Sequence, residues 1–353
     1  MIKYLRLLLF PFSILYGMVV ICRNKLYDLG VFKTTRFDIP IISVGNLVVG
    51  GSGKSPVTEY LVHLLSGHKI AILSRGYGRQ TKGFVLADPT ATAATIGDEP
   101  MQFYNKFPQV TVAVCEDRVT GINRLKDNHD IILMDDAFQH RKVTPGFSIL
   151  LFEYNKLLSP QFLLPAGNLR EPFSGYKRAQ TLLVTKAPTA ISTAERLKCS
   201  QRFDDKPEQG LAFSFITYGK LKHLYSGEER DCNTILADSS VFLLTGIANP
   251  TPLYEHLNHF TKNIYHHDYP DHHRFSKQNI QQLVNAFRNG AIKEKIIVTT
   301  EKDAQRLLDV TFKELLVNLP VFYLPIKIEL QKEDKTTFDQ KILDYVSSAT
   351  RNR

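Results

Sequence analysis

The sequence predicts an α/β protein, with a mainly parallel sheet sandwiched by helices and a second, smaller α/β unit behind it. Three observations predict this. Short continuous apolar runs rich in β-branched residues alternate with segments of helical spacing, as in strands covered on both faces. A glycine-rich stretch, "VVGGSGKSPVTEYL" at 48–61, joins the first run to the first helix of that series. Charged side chains recur just after the runs, and the carboxyl ends of parallel strands are where ligands bind in such sheets.

The elements follow in order. Residues 39–46 (IPIISVGN) form the first strand, and the helix behind the glycine stretch spaces Val57, Tyr60, Leu61, Leu64 and Leu65 on one face. Residues 68–75 (HKIAILSR) are a second strand ending in RGYGR, and 109–114 (QVTVAV) a third, followed by a helical segment over 115–125. Residues 129–136 (HDIILMDD), 147–153 (FSILLFE) and 180–186 (QTLLVTK) complete the set, so that Arg75–Arg79, Asp135, Asp136 and Lys186 fall at strand ends. The texture changes over 204–233, where two short strand-like stretches suit a linking hairpin. A strand and turn at 239–250, helices at 251–260 and 276–289, a strand at 294–303 and a helix through Leu308 make the smaller unit. The predicted division is 1–30, an N-terminal membrane-associated helix; 31–204, the larger domain; 205–233, the linker hairpin; and 234–353, the smaller domain.

Bulk composition narrows the function. The 353 residues leave room for two domains, and 43% hydrophobic with 22% charged residues describe a globular chain. A net charge of +9 suits an anionic partner such as a phosphorylated substrate or an acidic membrane. Nucleic acid is disfavoured, because no dense basic stripe with interleaved aromatics is present. Cys22, Cys115, Cys199 and Cys232 are far apart and contain no C-x-x-C pair, which fits a reducing compartment and excludes a disulfide framework. The segment from Leu7 to Cys22 is apolar, holds Pro11, and is flanked by Lys3, Arg6, Arg23 and Lys25. It is short for a span of about 20 residues but fits a helix embedded in or lying on the inner leaflet.

The glycine stretch meets the needs of a polyphosphate cradle. Gly50, Gly51 and Gly53 free the backbone to turn N–H groups inward, Lys54 supplies a cation, and the helix beginning at Ser55 and Pro56 places its N-terminus behind them. Ser52 completes the loop, and the Ser55 hydroxyl suits Mg²⁺. The first Gly of the common G-x-x-x-x-G-K-[ST] pattern is replaced by Val48. Asp135 and Asp136, after a buried strand, are either a turn cap or a Mg²⁺-holding pair, and their place downstream of the loop favours the metal. Asp98 and Glu99 before Pro100 read as a helix start, with Pro100 at its first position and Asp98 as the cap, or as a general base for an acceptor hydroxyl. His266, His267, His272 and His273, with Asp268 and Asp271, match no zinc spacing; an imidazole–carboxylate pair fits better. Arg75, Arg79, Arg118, Arg141 and Arg170 gather at the predicted ligand edge, and Arg suits bidentate phosphate recognition.

These motifs in this order, "SVGNLVVGGSGKSP", "LSRGYGR", "GDEP", "DRVTG", "MDDAFQH", "LPAGNLREP", "LTGIANP", "DHHRF" and "TTEKDAQRL", resemble the tetraacyldisaccharide 4′-kinase (lipid A 4′-kinase) family over about residues 42–308. The family's loop also lacks the first Gly. The resemblance implies a P-loop NTPase-like domain and a smaller one joined by a two-stranded linker, with the site between them. It implies ATP and Mg²⁺ as cofactors and transfer of the γ-phosphate to the 4′-hydroxyl of lipid A disaccharide 1-phosphate. It further implies an enzyme at the cytoplasmic face of the inner membrane, expected to act as a monomer. Carried over by motif, Lys54 and Ser55 are the loop cation and the Mg²⁺ hydroxyl. Asp135, Asp136 and Glu171 are the acids near the metal. Asp98 is the base, paired with a histidine of "DHH", His272 first and its neighbour His273 as the alternative. Arg75, Arg118, Arg170 and Asn46 are expected at the substrate. Two departures stand out: Ala137 where the family has Gly, costly if that residue needed a positive φ, and Asn168 where Pro is common. A membrane-bound nucleotide switch, or a kinase of another small molecule, is the alternative.

Overall fold

The computed structural model describes residues 6–204, 209–292 and 294–351. Helix α1 (Phe10–Asp28) precedes the first sheet. There follow β1 (Ile41–Asn46), α2 (Lys54–Leu64), β2 (Ile70–Ser74), β3 (Val85–Leu86), α3 (Ala93–Ile96), α4 (Asp98–Lys106) and β4 (Thr111–Val114). Then come α5 (Arg118–Leu125), β5 (Ile131–Asp135), β6 (Phe147–Glu153), α6 (Tyr154–Leu157), β7 (Thr181–Thr185), α7 (Thr193–Ser200) and β8 (Gly210–Tyr218). The second unit contains β9 (Leu221–His223), β10 (Glu229–Arg230), β11 (Ser240–Thr245), α8 (Thr251–Leu257), β12 (Asn263–Asp268) and α9 (Lys277–Asn289). Its remainder is β13 (Lys295–Thr300), α10 (Glu301–Leu307), α11 (Val310–Leu316) and β14 (Val321–Leu324), after which β15 (Ile326–Leu330) and α12 (Lys332–Arg351) end the described chain.

The nine-stranded sheet runs β15-β8-β7-β6-β1-β5-β2-β4-β3, parallel from β8 to β4 with antiparallel edges. Every residue of β1, β2, β5 and β7 is buried, which is why these strands read as unbroken apolar runs. One face of the sheet is covered by Val57, Leu61 and Val62 of α2 and by Phe103 of α4; the other by Ile122 and Leu125 of α5. Between β5 and β6, β1 sits where the strand order reverses, and its register pairs Val44 with Asp135. The glycine loop and Asp135 therefore leave the sheet side by side, at the topological switch point.

The second sheet, β10-β9-β14-β13-β11-β12, has a parallel core from β14 to β12. Two predicted boundaries are corrected by the pairing. Residues 205–233 do not form a linking hairpin: β8 belongs to the first sheet and β9 to the second. The two-stranded link is made by β8–β9 with β14–β15, in a register that sets Tyr218 against Ile326 and Tyr323 against Lys222. Nor does the smaller unit run from 234 to the end, because β15 and α12 rejoin the first sheet. Phe338, Ile342 and Val346 of α12 are buried in the same core as α2, worth about 1.5–3 kcal/mol each.

Candidate active site

Around the glycine loop, the structure shows what the Val48 substitution means. Val48 forms an antiparallel bridge with Leu169 and packs against the apolar cluster below the loop, so an extended residue is wanted there, not a turn. The left-handed positions are Gly50 (φ 105°) and Gly53 (φ 87°), and Gly53 caps α2; a side chain at either is strained. Two carbonyls and one hydroxyl of the loop are held by side chains. Thr185 Oγ1 donates to Ser52 O (2.8 Å), Lys186 Nζ to Gly51 O (2.7 Å), and Asn46 Nδ2 to Ser52 Oγ (2.6 Å). Among the described residues no backbone acceptor pairs with the N–H groups of Gly50, Gly51, Ser52 or Gly53. Tethered carbonyls and amides without backbone partners, ahead of a helix N-terminus, are the arrangement an anion can use. Lys54, Ser55 and Pro56 form the first turn of α2, and Lys54 Nζ lies 3.7 Å from Asp136.

Asp135 ends β5 fully buried, and neither carboxylate oxygen has a hydrogen-bond partner. Burial, and after it the charge of Glu99, push its carboxyl up to about 7, although Lys54 pulls the other way. Two orphaned acceptors beside a phosphate-type loop are the donor set a hard divalent cation completes. Asp136 (φ 48°) is engaged differently: Arg170 Nη2 lies 2.8 Å from Oδ1 and Nη1 3.3 Å from Oδ2, and burial is outweighed by Lys54 and Arg170, which hold its carboxyl low. The positive φ falls on Asp136 and not on Ala137, so the Gly-to-Ala departure carries no backbone penalty.

Other predicted contacts are corrected. Glu171 is fully buried, and its oxygens are taken by Arg178 (2.9 Å), Gln139 (2.9 Å) and Asn24 (3.2 Å). Among the described residues no three His, Cys, Asp or Glu side chains converge to hold a metal, and of the three acids Asp135 is the one whose oxygens are without hydrogen-bond partners. Arg118 is buried, donating to the carbonyls of Cys115 and Asp135, and so fixes the ends of β4 and β5 instead of facing a substrate. Asn46 is buried too, and its side chain organises the loop and meets Arg170. Arg75 is exposed at the end of β2, Arg79 pairs with Glu116, and Arg141 holds Asn24 and Asp28 of α1.

The second constellation joins the two sheets. Asp98 is the first residue of α4, with Gly97 as the cap and Pro100 two residues further in, not the start that Pro100 suggested. Its Oδ2 meets Arg306 Nη2, His272 Nδ1 (3.2 Å) and Lys302 Nζ (3.9 Å); its Oδ1 accepts from Glu99 N (3.1 Å). Burial would raise this carboxyl, but the His272 hydrogen bond and the Lys302 and Arg306 cations hold it well below the usual carboxylate range. Lys302 Nζ lies 3.2 Å from the other ring nitrogen of His272 and 3.1 Å from Glu99. The imidazole thus lies between the Asp98 carboxylate on one side and Lys302 on the other, with Asp271 3.9 Å from Nε2. His273 turns to Asn279 and stacks on Tyr269, while His266 pairs with Thr245. Arg306 is anchored by Asp303, which also accepts from Gly246 N and Thr300. Lys302, Arg306 and Asp303 went unassigned from sequence, although a strand running into "TTEKD" is the same strand-end signal that marked Asp135.

The family model described as Tetraacyldisaccharide-1-P 4′-kinase matches residues 5–347. The chain is 46% identical over 357 residues to the tetraacyldisaccharide 4′-kinase of Flavobacterium psychrophilum, covering 99% of each protein. It is 42% identical to that of Bacteroides thetaiotaomicron, covering 98% of this chain and 94% of that one. Among solved structures it resembles an "apo" form of LpxK from Aquifex aeolicus in complex with ATP, with a TM-score of 0.74 and 29% identity, over 97% of this chain and 99% of that one.

Proposed function

The chain belongs to the tetraacyldisaccharide-1-P 4′-kinase family, and on that premise we propose which of its groups carry phosphate from ATP to the 4′-hydroxyl of tetraacyldisaccharide 1-phosphate in lipid A biosynthesis. The observation that carries the reading is the Asp98–His272 pair, built from different sheets. A protein that only hydrolysed nucleotide would have no use for a carboxylate–imidazole pair apart from the phosphate loop.

Lys54 and the amides of Gly50–Gly53 receive the β- and γ-phosphates. Asp135, with the Ser55 hydroxyl, would hold Mg²⁺; its two unpartnered oxygens fit that ion, and one or two carboxylates plus phosphate oxygens are its usual company. When bound, Mg²⁺ neutralises charge on the phosphates. Arg170 ties Asp136 to Asn46, so the strand end carrying Asp135 and the loop carrying Lys54 stay in register. Asp98 orients the acceptor hydroxyl and takes its proton. A weakly basic carboxylate suffices, because a loose phosphoryl-transfer transition state asks for positioning before proton abstraction. His272 fixes the orientation of Asp98, while Lys302 and Arg306 keep it ionised. Arg75, at the end of β2, is the arginine of the predicted set that is exposed and has no ion pair among the described residues, and would meet the substrate 1-phosphate.

The acceptor is a lipid, and α1 suits a bilayer surface. Phe12 and Val19 are 62% and 61% exposed, with Ile14, Leu15 and Met18 beside them, an apolar patch of the kind that marks a membrane contact. No described helix is long and apolar enough to cross a membrane; from its exposed apolar face and the family's lipid acceptor we place α1 along the cytoplasmic face of the inner membrane. The test is incubation with γ-labelled ATP and tetraacyldisaccharide 1-phosphate in mixed micelles. The parent transfers label to the lipid, and Asp98→Asn does so about 10²–10⁴-fold more slowly. An Asp98→Asn protein with parental turnover removes Asp98 from this role.

A further inference from the structure

Residues 163–171 lie between α1 and the glycine loop and are bonded to both. On the loop side, Leu169 bridges Val48, Val49 N donates to Asn168 O (2.8 Å), and Arg170 N donates to Leu47 O (2.7 Å). On the helix side, Ser13 Oγ donates to Leu163 O (3.0 Å) and accepts from Ala166 N (2.9 Å), while Tyr16 donates to Arg170 O (2.7 Å). Arg6 donates to the carbonyls of Pro165 and Gly167. The buried stripe of α1 is Ser13, Gly17 and Val20. Such a stripe is too small and polar to be a core face. Gly17 is where the helix closes on the segment, since a Cβ there would lie 2.7 Å from Leu163 Cδ1.

We propose that α1 is a structural part of the nucleotide site: through this strap, Ser13 and Tyr16 act as positioning residues that hold residues 47–49, and hence the phosphate-receiving loop, in its binding shape. The proposal rests on the reading of the loop as the ATP site. Among the described residues the loop amides have no backbone partner, so the loop's shape is imposed from its flanks. Thr185 and Lys186 secure one flank and the strap secures the other. Loosening a flank shifts the cost of ordering the loop onto ATP binding.

The test uses the full chain in detergent micelles with Tyr16→Phe, Ser13→Ala and the pair combined. Equilibrium binding of Mg·ATP is measured without lipid acceptor, together with kcat, both KM values and sedimentation with anionic phospholipid vesicles. Each single variant weakens ATP binding about three- to tenfold, the scale of one lost hydrogen bond. The kcat at saturating ATP, the KM for lipid and vesicle binding stay as in the parent. Leu15→Ser with Met18→Ser, on the exposed face of α1, gives the reverse: weaker sedimentation and parental ATP affinity. Tyr16→Phe keeps the ring and carries the test if Ser13→Ala does not fold. ATP affinity equal to the parent's in Tyr16→Phe and the double variant overturns the proposal. So does an equal fall in kcat and ATP affinity, which describes general loosening. Lys54→Ala separates the two readings: if it too binds ATP normally, the loop assignment fails; if it alone loses ATP, only the strap fails.

Discussion

Glu301→Gln should stabilise the protein at pH 8 and leave it unchanged near pH 4.5. Glu301, on α10, shares Lys106 of α4 with Glu59 of α2, at 2.9 and 2.8 Å, and Gln102 donates to both carboxylates. Two buried carboxylates thus depend on one lysine. Burial, and after it Glu59, push the Glu301 carboxyl from 4.5 up to about 7 against the pull of Lys106. The difference, 7 − 4.5 or about 2.5 units, corresponds at about 1.36 kcal/mol per unit to roughly 3 kcal/mol. The folded chain holds this proton more tightly than the unfolded one. Its contribution is therefore whole below pH 4.5 and is lost as pH rises through about 7. The amide carries no charge to lose. Urea unfolding of parent and variant, side by side at both pH values without nucleotide, measures the difference. Lys106→Met is the opposing control, costing about 3–5 kcal/mol at pH 8 by leaving buried charge unpaired. No gain at pH 8 in Glu301→Gln, or an equal gain at both pH values, refutes the reasoning.

Further outcomes follow from the site. Asp98→Asn should lower kcat by about 10²–10⁴-fold with little change in the KM for ATP, read by label transfer to lipid. Thr185→Val and Lys186→Met should each weaken ATP binding severalfold, with Thr185→Ser restoring it, because only the hydroxyl donates to Ser52 O; equal binding in Thr185→Val and the parent would show that the loop holds its own shape. Gly53→Ala forces a side chain onto φ 87°, costing about 1–2 kcal/mol locally, and should raise the KM for ATP. Asp135→Asn should abolish transfer at every Mg²⁺ concentration, and recovery at high Mg²⁺ would assign the ion elsewhere.

The first sheet was legible because parallel strands buried on both faces leave unbroken apolar runs, and the glycine loop because its neighbours were a strand and a helix. The link was half legible. Its first strand lies in the stretch expected, but β15 alternates buried and exposed residues at a sheet edge, and nothing local states that Ile326 pairs with Tyr218. The same limit governs the site. Sequence shows that Arg118, Asn46 and Glu171 are polar but not that they are buried, and burial makes them braces of the loop and strand ends. Asp98 and His272 were paired by resemblance to a family. Spacing offers no path to a contact between residues of different sheets. Arg306, which meets the same carboxylate, carried no signal beyond its strand-end neighbourhood.

Because β8 and β15 are partners, the chain leaves the first sheet at Tyr218 and returns beside it at Ile326. Everything between is a guest inserted into a host whose own sheet is complete without it. A host of this kind can acquire or exchange its guest in one recombination event, since entry and exit are already adjacent. The host carries the glycine loop and Asp98, and the guest brings His272, Lys302 and Arg306. The constellation around Asp98 therefore exists only where the insert closes on its host, for the carboxylate comes from one and all three of its cationic or imidazole partners from the other.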